Sequence, residues 1–183
     1  MSELRRDRVV VLDRDGTVVV DRGYLADAAG LEFLPRAADG LRTLHEAGYR
    51  LVMVSNQSGV GRGLFSLERL QAQHVRLRQM VSDAGAQLAG IYWCPHLPEA
   101  GCDCRKPALG LLRQAGRELG FAPSTAVIVG DKACDAEFGR RAGATTILIT
   151  NGAAANMDVA CDFQAPDLAA AARWIIERSA YEP

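Results

Sequence analysis

Two aspartates, Asp13 and Asp15, stand directly after the apolar run VVVL at residues 9–12. Residues two apart in an extended segment point to the same side, so both carboxylates are expected to face one site. Two carboxylates at so short a distance repel each other and lose hydration. A positive group between them offsets this cost. The pair therefore predicts a bound cation, and Gly16 leaves room for a ligand to approach.

A third carboxylate follows another apolar run of the chain. Asp131 comes directly after the segment TAVIVG at 125–130. Three oxygen donors with room for water suit Mg²⁺, which binds few protein carboxylates and keeps several waters. The sequence thus predicts a Mg²⁺ site formed by Asp13, Asp15 and Asp131.

The polar residues that accompany these carboxylates suit phosphoryl transfer. Lys106 and Lys132 supply fixed positive charge, and the segment SNQSG at 55–59 supplies hydroxyl and N–H donors. An aspartate can attack phosphorus to form an aspartyl-phosphate, and a second carboxylate nearby can protonate the departing alkoxide. Asp13 and Asp15 are the candidates for these two roles. The competing interpretation is that they only cap a turn, because DG is a common turn signal.

Short apolar runs alternate with helical patterns along the chain. The predicted strands are 8–12, 50–55, 88–93, 125–130 and 145–150, and the predicted helices are 36–47, 66–84, 107–119, 135–142 and 167–179. This alternation is typical of a doubly wound, Rossmann-like α/β fold with a parallel sheet covered on both faces. Ligands of such folds bind at the carboxyl ends of the strands, where the polar segments above are placed. No linker divides the chain, so we expect a single domain over residues 1–183.

Composition and charge exclude several classes of protein. Of the 183 residues, 49% are hydrophobic and 23% are charged, which is typical of a globular domain. A formal net charge of −1 gives no electrostatic reason to expect nucleic acid or an anionic membrane as a partner. Neither a membrane-spanning run nor a signal-peptide pattern is present. We therefore expect a cytoplasmic protein, with a monomer as the default assembly.

Three of the five cysteines lie in the loop CPHLPEAGCDC, together with a histidine. Cys94, His96, Cys102 and Cys104 make a complete tetrahedral ligand set for structural Zn²⁺, with no position left for a substrate. A redox disulfide and a group of unrelated free thiols are the competing interpretations. Arg105 follows the last ligand directly, so a zinc ion in the loop 94–104 would fix the residues that come next.

The motifs DRDGT, SNQSG, RKP and GDKACD, in this order, resemble those of the haloacid dehalogenase superfamily of phosphotransferases. The resemblance implies Asp13 as the nucleophile and Asp15 as the general acid/base. It further implies that Ser55 and Lys106 stabilise the phosphate. Asp131 would bind Mg²⁺ together with Asp13 and the backbone carbonyl of Asp15.

The cysteine loop joined to CRKP is similar to a loop of two groups in that superfamily, the D,D-heptose 1,7-bisphosphate phosphatases and the histidinol-phosphate phosphatases. The segments DRGYL and NQSGVGRG resemble the heptose enzymes in particular. This resemblance implies hydrolysis of the 7-phosphate of a phosphorylated sugar, with histidinol phosphate as the alternative substrate. The implied substrate contacts are Asp21, Arg22, Gly23, Tyr24, Ser55, Asn56, Gln57, Ser58, Arg105, Lys106 and Lys132.

Two other classes of protein remain to be distinguished. A signalling receiver domain is also doubly wound and is phosphorylated on an aspartate at a strand end, but it has no need of Asp15 or of a zinc loop. A zinc-stabilised nucleic-acid-binding module would need a basic face, which the composition does not indicate. The segment 21–36 is too short for a separate lid domain, so the site is expected to be open.

Overall fold

The computed structural model describes residues 8–153 and 158–181, and these form one six-stranded parallel sheet. The strands are β1 (Val9–Leu12), β2 (Arg50–Asn56), β3 (Leu88–Cys94), β4 (Val127–Gly130), β5 (Thr145–Ile149) and β6 (Phe163–Ala165). Their spatial order is β3-β2-β1-β4-β5-β6. The chain builds one half of the sheet outward from β1 and then returns to build the other half from β4. The carboxyl ends of β1 and β4 are therefore the topological switch point, where ligands of such sheets bind.

Helices cover both faces of the sheet. They are α1 (Ala37–Glu46), α2 (Ser58–Gly61), α3 (Leu67–Asp83), α4 (Gly110–Leu119), α5 (Ala133–Ala142) and α6 (Leu168–Tyr181). Val10 and Leu12 of β1 lie in a core with α1, α3 and α6, whereas Val9 and Val11 lie in a second core with α4 and α5. Successive residues of a strand point to opposite faces, so an unbroken apolar run is what a sheet buried on both sides requires. The predicted doubly wound α/β fold is confirmed.

All five predicted strands and all five predicted helices are present, with shifted ends. Ser66 is the N-cap of α3, where its side chain accepts a hydrogen bond from the Arg69 N–H. Gly120, with a φ of +68°, ends α4 in the left-handed conformation. Both helix boundaries therefore follow from the local chemistry of the sequence.

The structure departs from the predicted elements at three places. The predicted helix 107–119 begins only at Gly110, because the residues before it form turns instead. The Ala108 N–H donates to the Arg105 carbonyl, and the Gly110 N–H donates to the Asp103 carbonyl of the cysteine loop. The four-residue α2 and the three-residue β6 were not predicted, since elements so short show no hydrophobic period.

The connection between β1 and α1 remains close to the sheet. Val19 bridges both Asp15 and Phe33, and its side chain is fully buried. As predicted, the described part of this connection contains no separate lid domain. Within the described residues, no helix has the length and apolar character needed to cross a bilayer.

Candidate active site

The switch point brings the predicted catalytic segments together. The Asp13 N–H donates to the Val129 carbonyl of β4 over 2.9 Å, which fixes the residues after β1 against the neighbouring strand. Asp13 and Asp15 line one cavity of about 160 Å³ with Ser55 and Lys106, which come from two other parts of the chain. The two aspartates therefore share a cleft with the groups expected to bind a phosphate.

Gly16 allows the Asp131 carboxylate to approach the segment after β1. Its φ is +88°, and a Cβ at this position would lie 2.2 Å from Asp131 Oδ2. Thr17 Oγ1 lies 3.4 Å from the other oxygen, Asp131 Oδ1. The room that Gly16 leaves is thus taken by a carboxylate of the protein itself, and a side chain here would displace it.

Lys106 is the buried cation of the site. Its Nζ lies 2.6 Å from Asp13 Oδ1 and 2.6 Å from Asp135 Oδ1, and all three side chains are buried. Burial favours the neutral amine, but the attraction of the two carboxylates outweighs it and raises the pKa of Lys106. The lysine is therefore charged at every physiological pH.

Burial has the opposite effect on the carboxyl groups. It raises the pKa of Asp13 to about 7, although Lys106 opposes the rise, and repulsion by Asp135 adds to it. Burial also raises the pKa of Asp131 to about 6, against the attraction of Lys132. Carboxylates that are costly to ionise in this way are stabilised by a further cation between them.

Asp135 is a site residue that the sequence analysis missed. Its Oδ1 accepts from Lys106, and its Oδ2 accepts from the Lys132 N–H over 3.1 Å at the start of α5. The available signal was the second aspartate of GDKACD, which comes one helical turn after Asp131. With both oxygens engaged, Asp135 acts as the anchor of Lys106.

Three carboxylates are grouped closely enough to hold a metal ion. Asp13, Asp131 and Asp135 each place one oxygen within 4.8 Å of the others. Because both oxygens of Asp135 are engaged, Asp13 and Asp131 are the better placed ligands. The carbonyl of Asp15, the third expected ligand, faces Lys132 Nζ at 3.5 Å. The donors are all oxygens, as Mg²⁺ prefers.

Polar side chains at the end of β2 form hydrogen bonds with the predicted catalytic residues. Asn56 holds the backbone of Lys106, accepting from its N–H over 3.0 Å and donating to its carbonyl over 3.1 Å. Gln57 Nε2 donates to Ser55 Oγ over 2.6 Å and to Asp15 Oδ2 over 2.8 Å. Asn56 and Gln57, expected as substrate contacts, thus also fix the geometry of the site.

A second cavity of about 280 Å³ adjoins the first. Asp15, Asn56 and Lys132 line both of them. The other residues that line the second cavity are Asp21, Gly23, Tyr24, Gln57, Ser58 and Gly59. Almost all of the expected substrate contacts therefore meet in one composite cleft.

Of the two arginines expected to contact the substrate, one lines the cleft and the other does not. Arg105 lines the first cavity, and its Nη1 donates to the His96 carbonyl over 3.1 Å. Arg22 lines neither cavity, because its guanidinium pairs with Glu32 at 2.5 Å on the exposed surface. Arg105, and not Arg22, is available to the cleft.

The cysteine loop forms a four-atom cluster beside the cleft. Cys104 Sγ lies 3.2 Å from Cys94 Sγ, 3.5 Å from Cys102 Sγ and 3.1 Å from His96 Nδ1. Thiolates about 2.3 Å from a tetrahedral zinc ion would lie roughly 3.8 Å apart, so the cluster is nearly the size of such a site. The cysteines are free, so the structure contains no disulfide here.

Comparison with known proteins gives a consistent result. The HAD-hydrolase-like family model matches residues 103–172. The chain is 39% identical over 152 residues to the D-glycero-β-D-manno-heptose-1,7-bisphosphate 7-phosphatase of Pasteurella multocida, covering 79% of this chain and 83% of that protein. It is 37% identical over 145 residues to the enzyme of the same name from Pseudomonas aeruginosa, covering 79% and 82%.

The solved structures agree with the sequence relatives. The D,D-heptose 1,7-bisphosphate phosphatase from B. bronchiseptica, complexed with magnesium and phosphate, superposes with a TM-score of 0.83 at 29% identity. The match covers 93% of this chain and 99% of that one. The corresponding phosphatase from Burkholderia thailandensis superposes with a TM-score of 0.69 at 26% identity, covering 92% and 98%.

Proposed function

The chain belongs to the heptose 1,7-bisphosphate 7-phosphatase family of haloacid dehalogenase-like hydrolases, and on that premise we propose that it hydrolyses the 7-phosphate of D-glycero-D-manno-heptose 1,7-bisphosphate. The product, heptose 1-phosphate, would then be available for nucleotide activation. The observation that carries the proposal is the meeting of Asp13, Asp15 and the buried Lys106 in one cleft. Histidinol phosphate is not favoured, because the relatives and structures described above are named for the heptose substrate.

Asp13 is the proposed nucleophile. Lys106 holds its Oδ1, so Oδ2 is the oxygen that attacks phosphorus while the bond from phosphorus to O7 of the sugar breaks. The product of this step is an aspartyl-phosphate, which water then hydrolyses to inorganic phosphate. Lys106 balances the charge of the transferring group, and Ser55 Oγ, which accepts from Gln57, keeps its own proton to donate to a phosphate oxygen.

Asp15 is the proposed general acid and base. Its carboxyl group gives a proton to O7 as the sugar leaves and takes a proton from the attacking water in the second step. A bound Mg²⁺, held by Asp13, Asp131 and the Asp15 carbonyl, would neutralise phosphate charge. This assignment is supported by the oxygen donor set and by the magnesium in the B. bronchiseptica structure.

The second cavity is the proposed site of the sugar and of the phosphate that is retained. Asp21, Gly23 and Tyr24 supply polar and aromatic contacts along its wall. Lys132 lines both cavities and Arg105 lines the first, so both supply positive charge to the composite cleft. A guanidinium is suited to a phosphate because it can donate two parallel hydrogen bonds.

The assembly is proposed to be a monomer formed by one domain over residues 1–183. This proposal is supported by the cleft, because one chain supplies the nucleophile, the acid/base and the cation that the proposed reaction needs. Light scattering after size exclusion measures the mass directly, and a dimer mass at micromolar concentration would overturn it.

A substrate panel tests the proposed reaction. We expect phosphate release from heptose 1,7-bisphosphate with a kcat/KM at least about 100-fold above that for histidinol phosphate, because only the bisphosphate engages both cavities. The β anomer, which appears in the names of the relatives, is expected to be preferred to the α anomer. Heptose 1-phosphate is the negative control, and comparable turnover of histidinol phosphate would contradict the proposal.

The cysteine loop is proposed to bind a structural Zn²⁺. Cys104→Ser is expected to abolish zinc binding, to lower the melting temperature by at least about 5 °C and to reduce activity, because Arg105 and Lys106 follow this ligand directly. Metal analysis, thermal melting and phosphate release measure the three effects. Cys161→Ser, which lies outside the cluster, is the matched control. A zinc-free Cys104→Ser protein with full activity and an unchanged melting temperature would exclude this role.

A further inference from the structure

A buried arginine lies behind the proposed catalytic carboxylates. Arg14 is only 2% exposed, and each part of its guanidinium has a partner. Nε donates to Asp15 Oδ2 over 2.9 Å, Nη2 to Gln57 Oε1 over 2.9 Å and Nη1 to Gln73 Oε1 over 2.8 Å. A cation this deeply buried is stable only with such a complete set of acceptors.

The arginine restricts the orientation of Asp15. One oxygen, Oδ2, receives hydrogen bonds from both Arg14 and Gln57. No residue in the described part of the chain donates to the other oxygen, Oδ1. The carboxylate is therefore fixed through Oδ2, and Oδ1 is left to exchange protons in the cleft that Asp15 lines.

Gln73 extends this network away from the chemistry. It lies on α3, is fully buried, and occupies the same apolar face as Leu70 and Leu77. Its Oε1 accepts from Arg14, and its Nε2 donates to the Leu25 carbonyl over 2.7 Å. Leu25 directly follows Tyr24, which lines the second cavity. Gln73 thus connects the arginine that holds Asp15 with the loop expected to contact the sugar.

We propose that Gln73, acting through Arg14, is a positioning residue that aligns the Asp15 carboxylate and ties it to the substrate loop at 21–25. The proposal rests on the phosphatase function given above. Asp15 moves a proton in both steps, but only in the first step does the need for that proton depend on the leaving group. An alkoxide leaving group needs that proton, whereas p-nitrophenolate is stable without it. Loss of the alignment therefore has a selective kinetic signature.

Gln73→Met is the informative variant, because methionine has a similar volume and makes neither hydrogen bond. We expect the single-turnover rate of phosphoryl transfer from heptose bisphosphate to fall about tenfold or more, while the rate of the p-nitrophenol burst from p-nitrophenyl phosphate stays within about twofold of wild type. The KM for the sugar substrate is expected to rise, since the 21–25 loop loses its anchor. Gln79→Met is the matched control: Gln79 is on the same helix but exposed, and within the described part of the chain its side chain bonds only to Asp83.

Arg14→Lys is a second variant, which tests the positioning role if Gln73→Met folds poorly. Lysine keeps the charge but cannot reach three acceptors at once, so the same selective loss is expected. An equal loss of the first-step rate on both substrates, or no loss of it on either, overturns the positioning role. Wild-type protein that hydrolyses p-nitrophenyl phosphate but not heptose bisphosphate overturns only the substrate assignment, and another alkyl phosphate then replaces it in the test. Wild-type protein that hydrolyses neither overturns the phosphatase function itself.

Discussion

Asp13→Asn is expected to reduce phosphate release by at least about 10⁴-fold, the largest effect of any single substitution in this chain. The amide oxygen is too weak a nucleophile to displace the sugar from phosphorus, so no covalent intermediate forms. Asparagine keeps the size of the side chain, and Lys106 keeps its second partner, Asp135. The fold is therefore retained while turnover is lost. Steady-state phosphate release, with circular dichroism as the check on folding, measures both.

The control for this prediction is Asp39→Asn. Asp39 is an exposed aspartate of α1 whose one ion-pair partner among the described residues is Arg42, so full activity is expected. Acid quenching with radiolabelled substrate adds a direct readout, since a phosphorylated protein should be trapped in wild type and absent in Asp13→Asn. Activity of Asp13→Asn within tenfold of wild type would exclude Asp13 as the nucleophile.

Asp15→Asn is expected to cause the second largest effect, a loss of roughly 10²- to 10⁴-fold on heptose bisphosphate. Asparagine cannot give a proton to the departing sugar oxygen, and it cannot take one from the attacking water. With p-nitrophenyl phosphate the first step needs no acid, so only the second step is impaired. Stopped-flow absorbance should therefore show one rapid equivalent of p-nitrophenol, followed by a slow phase as the phosphorylated protein accumulates.

This experiment also separates a phosphatase from a signalling receiver domain. A receiver would accept a phosphoryl group in the wild type and in Asp15→Asn alike, without sustained turnover in either. A phosphatase turns over continuously until Asp15 is replaced. Unchanged steady-state turnover in the Asp15→Asn protein would contradict the assignment of Asp15 as the general acid and base, whichever substrate is used.

Much of the fold and most of the chemistry could be predicted from the sequence, because buried parallel strands carry a continuous apolar signal. The ends of β1 and β4 were identified in this way, and the polar residues that follow them were assigned to one edge of the sheet. Asp13 and Lys106 meet there although the chain separates them by 93 positions. Topology alone supplied that expectation, since all strands point the same way.

The residues that were missed are those whose partners are set by tertiary packing. Arg14 lies between two aspartates that face the cleft, and the alternation of an extended segment turns its side chain to the other side, toward α3. Gln73 occupies an otherwise apolar helix face, and a single polar residue there indicates a buried contact only once its hydrogen-bond partners are known. Asp135 lies in the motif GDKACD, and only the first aspartate of that motif was assigned a role. Spacing could indicate on which side Arg14 and Asp135 lie, but it could not identify the hydrogen-bond partners of any of the three residues.

The strand order has a consequence for how activity arises during synthesis on the ribosome. The nascent chain exposes Asp13, the proposed nucleophile, early, but β4 takes its place next to β1 only after more than half of the polypeptide has emerged. Until then neither Asp131 nor Asp135, which anchors Lys106, has been translated. A product that ends before residue 131 is consequently expected to be inert toward phosphorylated metabolites, because nonlocal pairing of this kind is completed late in folding.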